Sequence, residues 1–329
     1  MSMSVISYID AVTMALREEM ERDSRVFVLG EDVGRKGGVF KATQGLYDSF
    51  GEERVIDTPL AESAIAGVGI GAAMYGMRPV AEMQFADFIM PAVNQIISEA
   101  SRIRYRSNND WTCPIVIRAP YGGGIHGALY HSQSVEAVFA NQPGLKIVMP
   151  STPYDVKGLL KAAIRDEDPV LFFEHKRAYR LIKGEVPEDD YVLPIGKADV
   201  KRQGEDITVI TYGLCVHFAL QAAERLAKDG ISAHILDLRT VYPLDKEAII
   251  EIFQGGKLRA NLGMANADRD IALAQYEKAI QNGFREVSDA LVLSQTLASQ
   301  RQAMEDLVRP HRRPMTCPRR GMTPAWTAS

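Results

Sequence analysis

Long apolar runs, closely spaced cysteines and an excess of basic residues are all missing from this chain of 329 residues. No apolar run reaches the roughly 18 residues that a membrane-spanning helix needs, so we expect no membrane span. The amino-terminal segment is acidic and amphipathic, whereas a signal peptide needs a basic start and an apolar core, so we expect none. Cys113, Cys215 and Cys317 are too far apart to predict a metal site or a disulfide framework, and this fits a reducing cytoplasm.

The overall charge argues against nucleic-acid binding. Lys plus Arg number 38 and Asp plus Glu number 42, which gives a net charge of -4. A nucleic-acid-binding protein would instead concentrate basic residues on one face. Hydrophobic residues make up 46% and charged residues 24% of the chain, close to the globular average, so global disorder is excluded. At roughly 150 residues per domain the length allows about two domains.

Short apolar and β-branched runs alternate with helix-like segments in the first half of the chain. The runs are VFVL at 26–29, RVID at 54–57, PVAEM at 79–83, PIVIR at 114–118, LKIVM at 145–149 and PVLFF at 169–173. The helix-like segments are 62–76, 88–106 and 152–166. Runs this apolar are typical of strands covered on both faces, so the alternation predicts an α/β fold with a mainly parallel sheet. In such sheets ligands bind beyond the carboxyl ends of the strands.

The remaining segments predict a first helix, a second domain and a tail. The first helix should bury one face at helical spacing, formed by Val5, Ile9, Val12, Leu16 and Met20. We predict a first domain over 1–180, an exposed connector over 181–200 and a second α/β domain over 201–252. Residues 253–308 have the pattern of one long helix, and 309–329 should be disordered. Two predicted strands in 201–252 cannot form a covered sheet, which indicates that the chain is not one intact design.

Glu62 begins a predicted helix directly after a strand. Its ordinary interpretation is stabilisation of the helix start, because a carboxylate there interacts favourably with the macrodipole. Small neighbours favour a second interpretation, because they let a planar ring or another backbone approach closely; they are Ala61, Ala64, Ala66, Gly67, Gly69, Gly71 and Ala72. We expect a carboxyl group in such surroundings to be poorly hydrated, which raises its pKa and makes it a usable proton donor.

His126 and His131 lie in a loop with three consecutive glycines, directly after the predicted strand 114–118. A loop histidine is ordinarily solvated or hydrogen-bonded for structural reasons. Two histidines beside a glycine run at the end of a parallel strand favour an acid–base role. Metal ligation is a third interpretation, which is weakened because no cysteine or carboxylate stands at ligand spacing.

Two further patterns have ordinary interpretations when taken alone. The glycines of EDVGRKGG at 31–38 lack the Gly-Lys-Ser/Thr ending of a phosphate loop, so we predict no nucleoside-triphosphate site. Gln84, Phe85 and Phe88 lie at a strand end and a helix start, where aromatic residues at helical spacing are usually part of the core.

Taken together, these segments resemble one family, the β subunit of the thiamine-diphosphate-dependent 2-oxo acid dehydrogenase component. The resemblance covers about residues 4–252 and rests on EDVG..GGVF, DTPLAES, QFADF, RAPYGGG.HGALYHSQS, QPGLK.V.PSTPYD.KGLL, DPVLFFEHK and DLRTVYPLD. HGALYHSQS and QFADFIMPAVNQI are more similar to the branched-chain enzyme than to the pyruvate enzyme.

The resemblance implies a transketolase-type pyrimidine-binding domain followed by a transketolase C-terminal domain. It implies one subunit of an α2β2 heterotetramer that decarboxylates 3-methyl-2-oxobutanoate and related branched-chain 2-oxo acids and transfers the acyl group to lipoamide on an acyltransferase component. The β subunit would bind the aminopyrimidine end of thiamine diphosphate, while the α subunit holds the diphosphate and its magnesium. In agreement, no segment here resembles the family's Gly-Asp-Gly diphosphate motif.

The resemblance also carries roles to single residues. Glu62 matches the glutamate that hydrogen-bonds the aminopyrimidine ring and stabilises its imino tautomer. His131 matches the histidine expected to help acyl transfer, and His126 is the weaker candidate. Leu60, Gln84 and Phe88 match positions lining the pyrimidine pocket, with Phe88 standing where some branched-chain members have tyrosine. A structural potassium ion would be held, largely through backbone oxygens, at Ile115, Ala163, Asp166 and Asp168. The alternative for Asp166 and Asp168 is a solvated helix end.

The resemblance stops after about residue 252, where the second transketolase domain would be incomplete. Residues 253–308 instead resemble a helical segment of outer-membrane efflux channel proteins. Our hypothesis is a chimeric chain, which exposes apolar sheet surface and should therefore be poorly soluble and assemble weakly. Four alternatives stay open: a pyruvate dehydrogenase β subunit, an inactive chimeric product, a passive carrier of a channel-derived coiled segment, and a single-chain thiamine enzyme related to transketolase.

Overall fold

The computed structural model describes residues 2–124, 127, 129–254 and 258–308. For residues 254, 258–268 and 306–308 it describes the backbone alone. The chain divides into two compact units, Met1–Ile252 and Phe253–Ser329. The predicted disordered stretch 309–329 lies outside the described residues.

Twelve strands are present in the described residues. They are β1 Met3–Ser7, β2 Val26–Gly30, β3 Val55–Asp57, β4 Arg78–Glu82, β5 Val116–Tyr121, β6 Lys146–Val148, β7 Val170–His175, β8 Lys183–Pro187, β9 Asp199–Arg202, β10 Ile207–Thr211, β11 Ala233–Asp237 and β12 Thr240–Tyr242. The described helices are α1 Tyr8–Arg22, α2 Leu46–Phe50, α3 Glu62–Met74, α4 Ile103–Arg106, α5 Glu136–Phe139, α6 Pro153–Arg165, α7 Ala178–Leu181, α8 Leu214–Lys228, α9 Lys246–Gln254 and α10 Leu258–Val308.

The main sheet has seven strands in the order β12-β6-β7-β5-β4-β2-β3. The six strands β2 to β7 pair in parallel, and β12 joins the edge beside β6 in the antiparallel direction. The α/β fold with a mainly parallel sheet is therefore confirmed, and each of the six predicted apolar runs forms one of its strands. Because all six run in the same direction, their carboxyl ends share one edge of the sheet.

Helices cover both faces of this sheet. On one face, α1 and α6 pack over a core that includes Val12, Leu16 and Leu159. On the other face, α3 packs over a core that includes Ile65 and Ile117. Covering on both faces explains why the strand sequences are continuous apolar runs rather than alternating ones.

Two predicted helices differ from the structure. Helix α1 begins only at Tyr8, after a capping box between Ser7 and Asp10; Val5 lies in β1, pairs with β8 and is 67% exposed, so placing it on the buried helix face was wrong. The predicted helix over 88–106 is a succession of short turns: a 3-10 helix at Ala86–Ala92, a π turn at Gln95–Glu99, a 3-10 turn at Ala100–Arg102 and then α4. Pro91 interrupts it because proline has no backbone N–H to donate.

Strands β1 and β8 form a two-stranded sheet, and a three-stranded sheet, called the small sheet below, has the order β10-β11-β9 with α8 packed against it. The two-strand prediction for 201–252 was therefore wrong, because β9 is charged and carries no apolar run. Strand β12, from the same segment, joins the main sheet instead. The core of the small sheet is slight: Ala223, Ala233 and Ile235 are its buried members. Ile207 and Phe218 remain 47% and 50% exposed, which leaves apolar surface uncovered in the described part of this unit.

Helix α10 spans 51 residues in the second unit. Its apolar side chains from 269 to 305 are largely exposed, including Tyr276, Phe284 and Leu291. Among the described residues, every helix is too short or too polar to cross a membrane.

A buried ionic network joins the small sheet to α6. Asp155 accepts a hydrogen bond from Arg239 at 2.7 Å and pairs with Lys201 at 2.9 Å. Ser151 donates to Asp237, which lies 3.6 Å from Lys201. Burial opposes the charge of Asp155, but Lys201 and Arg239 outweigh it and hold the pKa of Asp155 below its ordinary value. Burial, and then the charge of Asp155, raise the pKa of Asp237 to about 6.

The network predicts the effect of Asp237→Asn on stability at different pH values. The folded pKa of Asp237 lies above its ordinary value of 3.8, so its contribution to stability is complete below that value and is lost as pH rises towards the folded pKa. A neutral asparagine suffers no such loss. We expect the free energy of unfolding of the variant, relative to wild type, to rise by roughly 2–3 kcal/mol between about pH 4 and about pH 8, measured by urea unfolding.

Asp189→Asn is the control, because Asp189 is exposed. It should leave the pH dependence unchanged. A difference between Asp237→Asn and wild type that stays flat with pH would contradict the prediction.

Candidate active site

Glu62 is the first residue of α3 and follows the carboxyl end of β3. It is 9% exposed, and its carboxylate makes no hydrogen bond or ion pair with the residues that the structure describes. Gly69 lets α3 approach β5 closely, because a Cβ there would lie 2.8 Å from a side-chain carbon of Ile115. Gly67 and Gly71 face open space instead, as expected of a helix that another group can approach. Leu60 is 68% exposed beside this helix start.

A second carboxyl group, Glu31, lies beside Glu62. Glu31 directly follows β2, and its pKa is raised by burial and by the charges of Asp32 and Glu62. A hydrogen bond from Gln84, just beyond β4, opposes this rise. The structure therefore brings Glu62 and Gln84 together as predicted site neighbours. Glu31 was missed by the sequence analysis, although its place directly after a parallel strand was a usable signal.

His131 is held in an uncommon backbone conformation, with φ at 71°. Positive φ is rare for residues other than glycine and marks sites where the surrounding structure imposes the conformation. Asp87 supplies that constraint, since it accepts hydrogen bonds from the backbone N–H groups of Ser132 and Gln133, both at 3.3 Å. The His131 ring packs edge-on against Phe85, with centroids 4.4 Å apart.

The Nδ1 atom of His131 is buried and has no hydrogen-bond partner within the described ranges. Phe88 packs on the same imidazole, with centroids 5.3 Å apart, and on Phe85 at 5.7 Å. Gln84 lies with Glu31 and Glu62, and Phe85 packs on Phe88 and His131. Because Gln84 and Phe85 are adjacent in the chain, both sets of residues lie at the same edge of the sheet. His126 lies outside the described residues.

Lys176 enters the same edge from the end of β7 and was also missed by the sequence analysis. It is 5% exposed, and its ammonium nitrogen lies 5.6 Å from the ring centroid of Phe85. Burial lowers the pKa of Lys176 to about 8, against the opposing charge of Asp87. No sequence pattern distinguished this lysine, since a lone lysine after a strand is ordinarily exposed.

Arg118 lies beneath these loops and joins three neighbouring strands. It is fully buried, donates to Glu174 on β7 at 2.6 and 2.7 Å and to Glu82 on β4 at 2.7 Å. Tyr179 donates to Glu174 at 2.6 Å. Burial opposes the charge of Arg118, but Glu174 and Glu82 outweigh it and raise the pKa of the guanidinium. The pKa of Glu82 is also raised, mainly because the carboxyl group is buried.

The predicted potassium positions form a different cluster. The carboxylate of Asp166 pairs with Lys146 at 2.7 Å, and that of Asp168 pairs with Arg104 at 2.5 Å. These two carboxylates are therefore already neutralised by cations. The backbone oxygens of Ile115, Ala163 and Asp166 each accept a hydrogen bond, from Val170, Asp166 and Arg78 respectively. Each carbonyl oxygen keeps a second lone pair that could ligate an ion.

The part of the chain that the structure describes contains no group of three or more His, Cys, Asp or Glu that could hold a metal. Among those residues, His131 is therefore not part of a group that could ligate a metal ion.

The edge of the sheet fits a flat, polar heterocycle. With respect to the described residues, it offers a carboxylate without a partner at Glu62 and a buried ring nitrogen without a partner at His131. It also offers an amide at Gln84 and aromatic faces at Phe85 and Phe88. An unpaired buried polar group costs free energy unless a ligand satisfies it, so these groups are arranged for a ligand rather than for stability.

Comparison with known families divides the chain in the same order. The transketolase pyrimidine-binding domain matches residues 4–182, and the transketolase C-terminal domain matches residues 196–259. The outer membrane efflux protein family matches residues 247–320. The chain thus matches transketolase domains and an efflux protein family, and the two matched ranges overlap at residues 247–259.

Individual relatives agree with this division. The 2-oxoisovalerate dehydrogenase subunit beta of Bacillus subtilis (strain 168) is 90% identical over 249 residues, which cover 76% of each chain. The pyruvate dehydrogenase E1 component subunit beta of the same organism is 47% identical over 308 residues, covering 94% of this chain and 92% of the relative. A solved split-gene transketolase, described as an inactive β4 tetramer, has a TM-score of 0.62 at 25% identity and covers 76% of each chain.

The Arg118 cluster predicts a large loss of stability on Arg118→Met. The substitution leaves two buried carboxylates, Glu82 and Glu174, without their cation. Removing one partner of a buried ion pair typically costs about 3–5 kcal/mol. We expect a loss of that order in the free energy of unfolding, measured by urea denaturation.

Arg106→Met is the matched control, because Arg106 pairs with Glu99 at the surface. Exposed pairs contribute about 0–1 kcal/mol. Equal effects of the two substitutions would show that the Arg118 cluster does not support the sheet.

Proposed function

The chain belongs to the β subunits of the transketolase-type 2-oxo acid dehydrogenases, and we propose that it supplies the pyrimidine-binding half of an active site for branched-chain 2-oxo acids. The reaction is the oxidative decarboxylation of 3-methyl-2-oxobutanoate and related acids, with acyl transfer to lipoamide. The observation that carries the proposal is the position of Glu62, a largely buried residue whose carboxylate has no partner among the described residues, at the sheet edge that ligands use in α/β folds. The 90% identity to a 2-oxoisovalerate dehydrogenase β subunit supports the substrate class.

Thiamine diphosphate is the cofactor, and when bound it supplies the nucleophilic carbon and accepts the electrons of the bond that breaks. Glu62 would hold a proton at a ring nitrogen of the aminopyrimidine and so fix its tautomer. Gln84 would orient the ring by hydrogen bonding, and Leu60 and Phe88 would line its pocket. Phe88 has no hydroxyl group, so its contribution is apolar contact alone.

His131 would act on the acyl group as it passes to lipoamide. The positive φ and the Asp87 hydrogen bonds hold its ring against Phe85 and Phe88, which limits the positions that the imidazole can take. Orientation of this kind contributes to rate because it removes the need to order the group during the reaction.

The complete active site would need an α subunit in an α2β2 heterotetramer, because this chain lacks a diphosphate-binding segment. The α subunit would hold the diphosphate and magnesium, and a lipoyl acyltransferase component would receive the acyl group. A structural potassium ion would be held by carbonyl oxygens at Ile115, Ala163, Asp166 and Asp168 rather than by the ion-paired carboxylates. The cytoplasm is the compartment that these partners imply.

A pyruvate dehydrogenase β subunit is the second candidate. The 47% identity that extends over 94% of this chain favours it, but the identity is about half that of the branched-chain relative. The ratio of kcat/KM for 3-methyl-2-oxobutanoate to that for pyruvate, measured with an α subunit, separates the two.

The second unit is the reason to consider a chimeric origin for the chain. The match to the efflux family begins at residue 247, within the range matched by the transketolase C-terminal domain. We infer that the two segments were joined near residue 252. An uninterrupted genomic clone with transcript support across that codon would establish a native gene instead.

Glu62→Gln should abolish decarboxylation by the chain assembled with an α subunit. The amide cannot hold the proton that the ring nitrogen needs, and loss of such a proton-transfer group typically costs about 10²–10⁴ in rate. Carbon dioxide release from 3-methyl-2-oxobutanoate measures the effect, and circular dichroism checks that the fold is retained.

Glu53→Gln, at an exposed glutamate, is the control and should keep wild-type activity. A Glu62→Gln enzyme with normal turnover would remove the central residue from the proposal.

The uncovered apolar surface of the first unit and of α10 predicts weak assembly. Exposed apolar patches of this kind favour aggregation. On gel filtration with an α subunit, we expect most of the chain in aggregates rather than in a heterotetramer. A monodisperse, active heterotetramer would contradict this expectation.

A further inference from the structure

Lys176 is a buried cation whose ammonium group forms no ion pair with any described residue. It directly follows β7, its backbone N–H donates to the carbonyl of Tyr121 at 3.1 Å, and its side chain turns over the face of Phe85. Its ammonium nitrogen is buried and has no hydrogen-bond partner among residues 2–124, 127, 129–254 and 258–308. A buried charge in this state costs free energy, so its position needs a reason other than stability.

The acidic groups nearby are occupied by other partners. Asp87 is the carboxylate whose charge reaches Lys176, but its oxygens accept the backbone N–H groups of Ser132 and Gln133. Glu82 and Glu174 are both paired with Arg118. Arg118 is in turn committed to them, so it is not free to bind a ligand.

The charge and location of Lys176 define the ligand it fits. Phe85 carries the ammonium group on its face and His131 against its ring, so both groups flank the space beside one aromatic side chain. Carboxylates at Glu31, Glu62 and Asp87 lie at the same edge of the sheet, and their charge would repel a small anion bound there. The ammonium group of Lys176 at the same edge offsets that repulsion and can bind the charged end of the anion.

We propose that Lys176 binds the carboxylate of the 2-oxo acid substrate and so makes the site selective for acids over neutral ketones. This inference rests on the proposed function. The carboxylate loses its charge when it departs as carbon dioxide, so the contact is strongest before the bond breaks. An interaction of that kind strengthens substrate binding without speeding the chemical step. Lys176 therefore acts on KM far more than on kcat.

The titration of Lys176 gives the contact a pH dependence. The charged and titratable groups that face it are Asp87 on the turn Ala86–Ala92, His131 on the glycine loop, and His175 and Arg177 beside it in the chain. Burial holds the pKa of Lys176 at about 8, so the ammonium group loses its proton above that pH. Affinity for a carboxylate should then fall, because the neutral amine no longer attracts an anion.

The first experiment uses the full chain by itself and follows thermal unfolding. Lys176→Met removes a buried charge that has no partner, so we expect the variant to melt at a higher temperature than wild type. Sodium 3-methyl-2-oxobutanoate should raise the melting temperature of wild type more than its methyl ester does, because a ligand stabilises the state it binds. The variant should respond equally to both. Lys183→Met, at an exposed lysine, should melt and respond as wild type.

The second experiment uses the chain assembled with an α subunit. Lys176→Met should raise KM for 3-methyl-2-oxobutanoate about 10–100-fold, the usual effect of losing a hydrogen bond to a charged group, and change kcat less than about threefold. In Lys176→Arg the charge persists at high pH because the guanidinium stays protonated. Its kcat/KM should therefore lack the decline above about pH 8 that wild type shows.

Three results would overturn the inference. A lower melting temperature for Lys176→Met would show that the lysine is a structural partner. An equal response of wild type to the acid and its ester would show that it does not select a carboxylate. An unchanged KM in the assembled variant would exclude it from substrate binding. If assembled wild type releases no carbon dioxide, the proposed function fails, whereas the thermal measurements still decide the role of Lys176.

Discussion

The buried guanidinium of Arg118 is the constraint on which the site depends. It sits in the middle of the parallel sheet, where no water can solvate a charge, and it is stable there only because Glu82 and Glu174 surround it. The three residues belong to neighbouring strands, so their hydrogen bonds fix the carboxyl ends of β4, β5 and β7 relative to one another. The segments that continue from those ends carry Gln84, His131 and Lys176. Their relative positions therefore follow from one ionic cluster below them.

The ionic network around Asp155 and Asp237 and the polar residues of the candidate site differ in how well their polar groups are paired. In the network around Asp155 and Asp237 each carboxylate has a hydrogen bond and a cation within reach. At the candidate site, by contrast, His131 and Lys176 each hold a buried polar atom with no partner in the described ranges, and the carboxylate of the largely buried Glu62 has no partner there either. Such groups reduce stability in the free protein, and residues with this property concentrate at sites where a ligand completes the arrangement.

The sequence patterns correctly predicted the strands that are buried along their whole length. They gave wrong predictions for segments in which buried and exposed residues are mixed. The six strands of the main sheet were recognisable because both faces are covered, so no residue interrupts the apolar run. The position of Val5 is compatible with both a helix and a strand. The capping box at Ser7, which is visible only in the folded chain, starts the helix after Val5 and leaves Val5 in a strand. Strand β9 was not predicted because its sequence is charged and has no apolar run; it pairs with β11 through its backbone and through the ion pair of Lys201 with Asp237. Glu62 and His131 were proposed from their motifs. Glu31 could have been proposed from its position directly after a parallel strand, whereas Lys176 could not, because a lone lysine indicates burial only once its neighbours are known.

The match to the efflux family begins after the main sheet is complete but before the small sheet has a full core. The packing of the main sheet is therefore retained, whereas the part of the chain needed for assembly is incomplete. The main sheet has a hydrophobic core on each face, and the residues of both cores lie within Met1–Ile252. The core cluster between the small sheet and α8 has three buried members, and Ile207 and Phe218 beside it are about half exposed. A sheet with so little buried area gains little from the hydrophobic effect, and it needs a further covering layer or a partner. The chemistry assigned to Glu62 and Lys176 therefore resides in the well-packed part of the chain, while its use in a complete enzyme depends on the poorly packed part.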